Sequence, residues 1–124
     1  MKKIMIVDDD VETTNILESL LKLEGYAPIS INDSKIAAQR ASLIHPDLFL
    51  LDLMMPDIDG FKLCRLLRAD WEFARTPIII ITALADHDSR IVAFGAGAND
   101  YITKPYHPYE LALKIKELLH PPKL

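Results

Sequence analysis

The 124-residue sequence has one cysteine, Cys64, and four glycines. A single cysteine rules out an internal disulfide, so the fold must hold by packing, and a reducing compartment such as the cytoplasm is the expectation. Few glycines and a half-hydrophobic composition argue against a disordered or low-complexity chain. No run of five or more Lys/Arg occurs, and the formal net charge is -4. A basic footprint for nucleic acid or an anionic membrane is therefore missing, and direct nucleic-acid binding is not expected. No apolar run approaches the ~20 residues that a membrane-spanning helix needs, and the N-terminal "MKKIMIVDDD" reaches three aspartates too soon for a signal peptide.

The length suits one domain with a sizeable core. Five aliphatic or β-branched segments, 4–7, 26–31, 48–51, 78–82 and 101–103, read as strands. The first, third and fourth are almost continuously apolar, as strands covered on both faces of a parallel sheet are. Amphipathic spacing over 11–24, 34–44, 58–70, 87–97 and 108–119 predicts helices between and after them. Pro108 suits the first turn of the last helix. The alternation predicts an α/β fold: (βα)5, a doubly wound five-stranded parallel sheet of flavodoxin-like order 2-1-3-4-5. The domain is expected over 1–120. Residues 121–124 follow as a tail or the start of a linker, since Pro121 and Pro122 cannot continue a helix.

Ligands of such sheets bind at the carboxyl ends of the strands, where strand order reverses. The first strand ends in Asp8, Asp9 and Asp10, the third in Asp52, the fourth in Thr82, and Lys104 follows the fifth. In this strand order Asp8 or Asp9 comes close to Asp52. Converging carboxylates raise a pKa or hold a cation between them, and Mg²⁺ fits such oxygen donors best. Lys104 can pair with Asp52 or with an anion, and Thr82 offers a hydroxyl donor. Together these residues describe a cradle for a phosphoryl group.

Simpler readings exist for each. Asp8 to Asp10 could be a solvated turn and helix cap, which remains the better role for Asp10. Thr82 could be an ordinary strand threonine, Lys104 a surface lysine and Tyr101 a packing aromatic. Cys64 reads as a small buried hydrophobe. His45, His87, His107 and His120 lack ligand spacing, and His107 could cap the last helix. Trp71 and Phe73 in "ADWEFARTP" read as local packing rather than a partner contact.

The segments "IMIVDDD", "PDLFLLDLMMPDIDG", "PIIIITA" and "GANDYITKPY" occur in this order over residues 2 to about 120. The chain thereby resembles the response-regulator receiver domains of two-component signalling, the CheY-like superfamily. The resemblance implies that Asp52 accepts a phosphoryl group from a phosphohistidine on a sensor histidine kinase or a histidine phosphotransfer protein. It gives Mg²⁺ to Asp8, Asp9, Asp52 and the backbone carbonyl of Met54, and the phosphoryl oxygens to Thr82 and Lys104. Ala83 would leave room for the group, a cis bond before Pro105 would aim Lys104, and Pro56 and Gly60 would shape the loop after Asp52. Tyr101 would change rotamer with Thr82 and shift the face of the fourth helix, fifth strand and fifth helix toward a downstream effector or a homodimer.

Met54 and Leu84, two positions after Asp52 and Thr82, face the phosphoryl group in this family. Neither can hydrogen-bond an attacking water, which implies slow dephosphorylation. The rival reading is a haloacid-dehalogenase-type phosphatase. Those enzymes carry a second acid two residues after the nucleophile, where this chain has Met54.

Overall fold

A computed structural model describes residues 1–121. Residues 122–124 of the expected tail lie outside the described residues. In chain order the elements are β1 (Lys3–Val7), α1 (Val11–Leu23), β2 (Ala27–Ile31), α2 (Ala37–Ile44), β3 (Leu48–Asp52), α3 (Gly60–Ala69), β4 (Ile78–Thr82), α4 (His87–Gly95), β5 (Asp100–Thr103) and α5 (Pro108–Leu119). All strands are parallel, in the order β2-β1-β3-β4-β5. The expected fold and strand order are therefore the observed ones.

Side chains alternate along a strand, so each strand feeds two separate apolar layers. Met5, Val7, Phe49, Leu51, Ile78 and Ile80 meet Ala37 and Ala41 of α2, Leu63, Cys64 and Leu67 of α3, and Ala93 of α4. Ile4, Ile6, Leu48, Leu50, Ile79, Ile81 and Ile102 meet Leu17 and Leu21 of α1 and Leu111 and Ile115 of α5. This double cover is why β3 and β4 carry no polar residue before their last position. Among the described residues no helix is long and apolar enough to cross a membrane.

Helix boundaries follow local chemistry. Asp10 caps α1, accepting from the Glu12 N–H at 3.1 Å, and the Thr13 hydroxyl donates to it at 2.6 Å. His107 caps α5 through the Tyr109 N–H, with Pro108 in the first turn. The helix expected over 34–44 is divided: a 3₁₀ turn, Ser34–Ile36, capped by Asp33, precedes α2. The helix expected over 58–70 begins later, because Asp59 caps it through the Lys62 N–H.

The "ADWEFARTP" segment contains a second 3₁₀ turn, Trp71–Phe73, and its two aromatics part company. Phe73 is buried edge-on against Phe49, with ring centroids 5.4 Å apart. Trp71 is 89% exposed, which corrects the expectation that it packs.

Candidate functional site

The carboxyl ends of β1, β3, β4 and β5 converge, and they carry the acids, the hydroxyl and the lysine singled out above. Ligand oxygens of Asp8, Asp9 and Asp52 lie within 4.8 Å of one another. Asp8 is buried and held by hydrogen bonds. Its Oδ1 accepts from the Asp10 N–H at 3.0 Å, and the Asn32 amide donates to its backbone carbonyl at 2.8 Å. Asp9 faces solvent, and Asp52 closes the inner wall at 9% exposure.

Burial, reinforced by the charge of Asp8, pushes the Asp52 carboxyl up to about 6. Lys104 and the Met54 backbone N–H pull it down, and Asp9 adds a weaker upward push. A carboxyl destabilised in its charged form beside two others is a donor set that a hard cation satisfies. Three carboxylate oxygens with an open side toward solvent match what Mg²⁺ uses.

Lys104 bridges the acids, with Nζ 3.4 Å from Asp8 and 4.0 Å from Asp52. The expected pairing with Asp52 is present, but Asp8 is the nearer partner. The Lys104–Pro105 bond is cis, as expected.

The loop after Asp52 is possible only because residue 60 is glycine. A Cβ there would stand 2.4 Å from the Asp52 carbonyl oxygen and 2.8 Å from Leu53 Cα. Met54 turns outward at 61% exposure, whereas Met55 is buried. Asp57 takes a left-handed conformation at φ 69°, within reach of the Ile58 N–H to Pro56 carbonyl bond of 2.8 Å.

Thr82 is fully buried at the end of β4, and its hydroxyl accepts from the Leu84 N–H at 3.3 Å. Tyr101 is turned inward at 2% exposure and donates its hydroxyl to the Leu84 carbonyl at 2.6 Å. One peptide segment thus joins the two. From the other side the Arg90 guanidinium stacks 4.8 Å above the Tyr101 ring. Arg90, and Ser34 behind the Asp52 loop, were not singled out by sequence. Arg90 is one charge on an exposed helix, and Ser34 reads there as a helix start.

Leu84 is half-buried and Ala83 exposed beside Thr82. Cys64 is buried, with its thiol 3.4 Å from the Ala96 carbonyl, as a small hydrophobe should be.

The family model of the response regulator receiver domain matches residues 4–116. The transcriptional regulatory protein ResD of Bacillus subtilis is 40% identical over 94% of this chain and 48% of its own length. The BeF3-activated receiver domain of Klebsiella pneumoniae RstA has a TM-score of 0.90 at 32% identity, covering 96% of this chain and 99% of that one. The receiver domain of the sensor histidine kinase PA1611 of Pseudomonas aeruginosa, solved with a magnesium ion coordinated in its active-site cleft, has a TM-score of 0.87 at 30% identity. It covers 95% of this chain and 97% of that one. The chain spans about half the length of the curated relatives it matches.

Proposed function

The chain belongs to the response regulator receiver domain family, and on that premise we propose that Asp52 is its phosphoacceptor, charged by a phosphohistidine of a sensor histidine kinase or a phosphotransfer protein. In the transfer a carboxylate oxygen of Asp52 forms the new bond to phosphorus. The N–P bond breaks with its electron pair on the imidazole, which takes up a proton. The observation that carries this reading is the convergence of Asp8, Asp9 and Asp52 within 4.8 Å under the ammonium of Lys104. Phosphoryl transfer asks mainly for positioning and charge neutralisation, and this set of side chains offers both.

Mg²⁺ would be held by Asp8, Asp9, Asp52 and the Met54 carbonyl, and would supply neutralisation of the phosphoryl charge. Lys104 would give up its contact with Asp8 to meet a phosphoryl oxygen, and Thr82 would turn its hydroxyl to another. Because the Leu84 N–H is bonded to Thr82 and the Leu84 carbonyl to Tyr101, a movement of Thr82 reaches Tyr101 through this link. The face of α4, β5 and α5 then changes its fit for an effector or a second copy.

This family acts as switches rather than as turnover enzymes. The phosphatase alternative lacks its second acid, since residue 54 is methionine. A cytoplasmic setting fits a kinase partner. These 124 residues would not themselves bind nucleic acid, whatever the longer relatives do.

Incubation with acetyl phosphate and Mg²⁺ should add one phosphoryl mass to the wild type and none to Asp52→Asn. Equal labelling of both would exclude Asp52 as the acceptor. The apolar pair near the site implies a long-lived phosphoprotein. Met54→Asn combined with Leu84→Glu should speed loss of label by roughly tenfold or more, a part of the roughly hundredfold or greater effect of a well-positioned proton-transfer group. An unchanged decay rate would refute that role.

A further inference from the structure

The hydroxyl of Ser34 lies on a different strand-helix unit from Asp52, yet it is built into the Asp52 loop. Ser34 is 5% exposed, donates to the Pro56 carbonyl at 2.9 Å and accepts from the Ile58 N–H at 3.3 Å. Its two partners flank Asp57, the residue held at φ 69°. Residues 54–59 otherwise bond within the loop or to the first turn of α3: Met55 N–H to Leu53 at 3.2 Å, Ile58 N–H to Pro56 at 2.8 Å, and Asp59 to the Lys62 N–H at 2.8 Å. Among the described residues, the Ser34 bonds are the hydrogen bonds that tie this loop across to another strand-helix unit. Asp33 caps the same 3₁₀ turn, accepting from the Lys35 N–H at 3.0 Å, so Ser34 is itself held.

Ser34 also shares a cleft of about 220 Å³ with Asp9, Asn32, Pro56 and Asp57. The lining of this cleft thus includes a candidate metal ligand, Asp9, and part of the loop that carries Met54.

The geometry points to Ser34 as a positioning residue that fixes the 54–59 loop, and with it the Met54 carbonyl, for Mg²⁺ binding; this rests on the phosphoacceptor reading above. A backbone carbonyl is an effective ligand only when its direction is set in advance, and a loop in a sparsely populated conformation needs outside support to hold that direction. Ser34 uses its donor and its acceptor at once, on the two residues that bracket the strained one. An alanine has neither, whereas threonine keeps both.

The test is calorimetric titration of the full chain with MgCl₂ alone at pH 7.5, for wild type, Ser34→Ala and Ser34→Thr. Ser34→Ala should weaken the Mg²⁺ dissociation constant about tenfold, the lower end of what loss of an outer-shell contact costs. Ser34→Thr should stay within about twofold. Labelling by acetyl phosphate should then be slow in Ser34→Ala at low Mg²⁺ and recover at saturating Mg²⁺, which a general loss of folding would not produce.

If Ser34→Ala melts earlier but binds Mg²⁺ like the wild type, Ser34 serves the fold alone and the proposal fails. It fails equally if threonine weakens binding as much as alanine. A wild type that binds no Mg²⁺ would instead overturn the phosphoacceptor reading itself.

Discussion

Asp52 concentrates the electrostatic cost of the site in one carboxyl. Its pKa is about 6 in the fold against an ordinary 3.8. The native state therefore binds more protons than the unfolded chain between these values, and stability falls as pH rises from about 4 through 6. With partial access to solvent, the loss is on the order of 1–2 kcal/mol. In divalent-free buffer, Asp52→Asn should accordingly be more stable than the wild type by roughly that amount at pH 7.5. The gap should largely close near pH 4, where Asp52 is neutral in the fold and only partly ionised in the unfolded chain. Urea denaturation at the two pH values measures it, and a gap that does not depend on pH would contradict the burial argument. The site residues were legible in sequence because each is a polar residue at the end of an apolar run. Trp71 was misread because a large aromatic carries no mark of which way it faces, and its neighbour Phe73 took the buried place against Phe49.

Elements were legible where periodicity is strong, and less so where a side chain decides a boundary. The two-faced cover of β1, β3 and β4 follows from their continuous apolar runs, but the 3₁₀ turn before α2 depends on Asp33, which caps it locally, and on Ser34, whose partners Pro56 and Ile58 lie far along the chain. Arg68 shows the same limit. It lies at the end of α3 and donates to the Gly97 carbonyl at 2.9 Å, to those of Phe73 and Thr76 at 2.6 Å, and to Asn99 at 2.7 Å. Asn99 in turn accepts from the Ile78 N–H at 2.8 Å. Gly97, at φ 109°, leaves room for this: a Cβ there would stand 2.6 Å from Arg68 Cγ. Arg68 thus ties α3, the 3₁₀ turn after it, β4 and the α4–β5 connection together without a carboxylate among these partners. Burial pulls its pKa below the ordinary value. Arg68→Ala should destabilise the chain by about 2–4 kcal/mol, because three partly buried carbonyls lose charged donors. Acetyl phosphate labelling of the folded fraction should stay near the wild-type rate. A selective loss of labelling at full stability would show instead that Arg68 acts on the site.

At the scale of the whole molecule, the parallel sheet sorts its tasks by end. The carboxyl ends of the strands gather Asp8, Asp9, Asp52, Thr82 and Lys104, and the amino end of β4 holds the Arg68 and Asn99 clamp. The overall architecture could be read from sequence because strand and helix alternate without interruption. The hydrogen-bonded link from Thr82 to Tyr101 could not, because its middle is the backbone of Leu84 and not the Leu84 side chain.

That backbone route separates two properties that could have been inseparable. The peptide groups of Leu84 would carry the message to Tyr101 whatever side chain stands there, and the half-buried side chain would be left to govern access of water to a phosphoryl group on Asp52. Exchange of that one side chain would then lengthen or shorten the memory of the signal, while the wiring that delivers the signal would stay as it is.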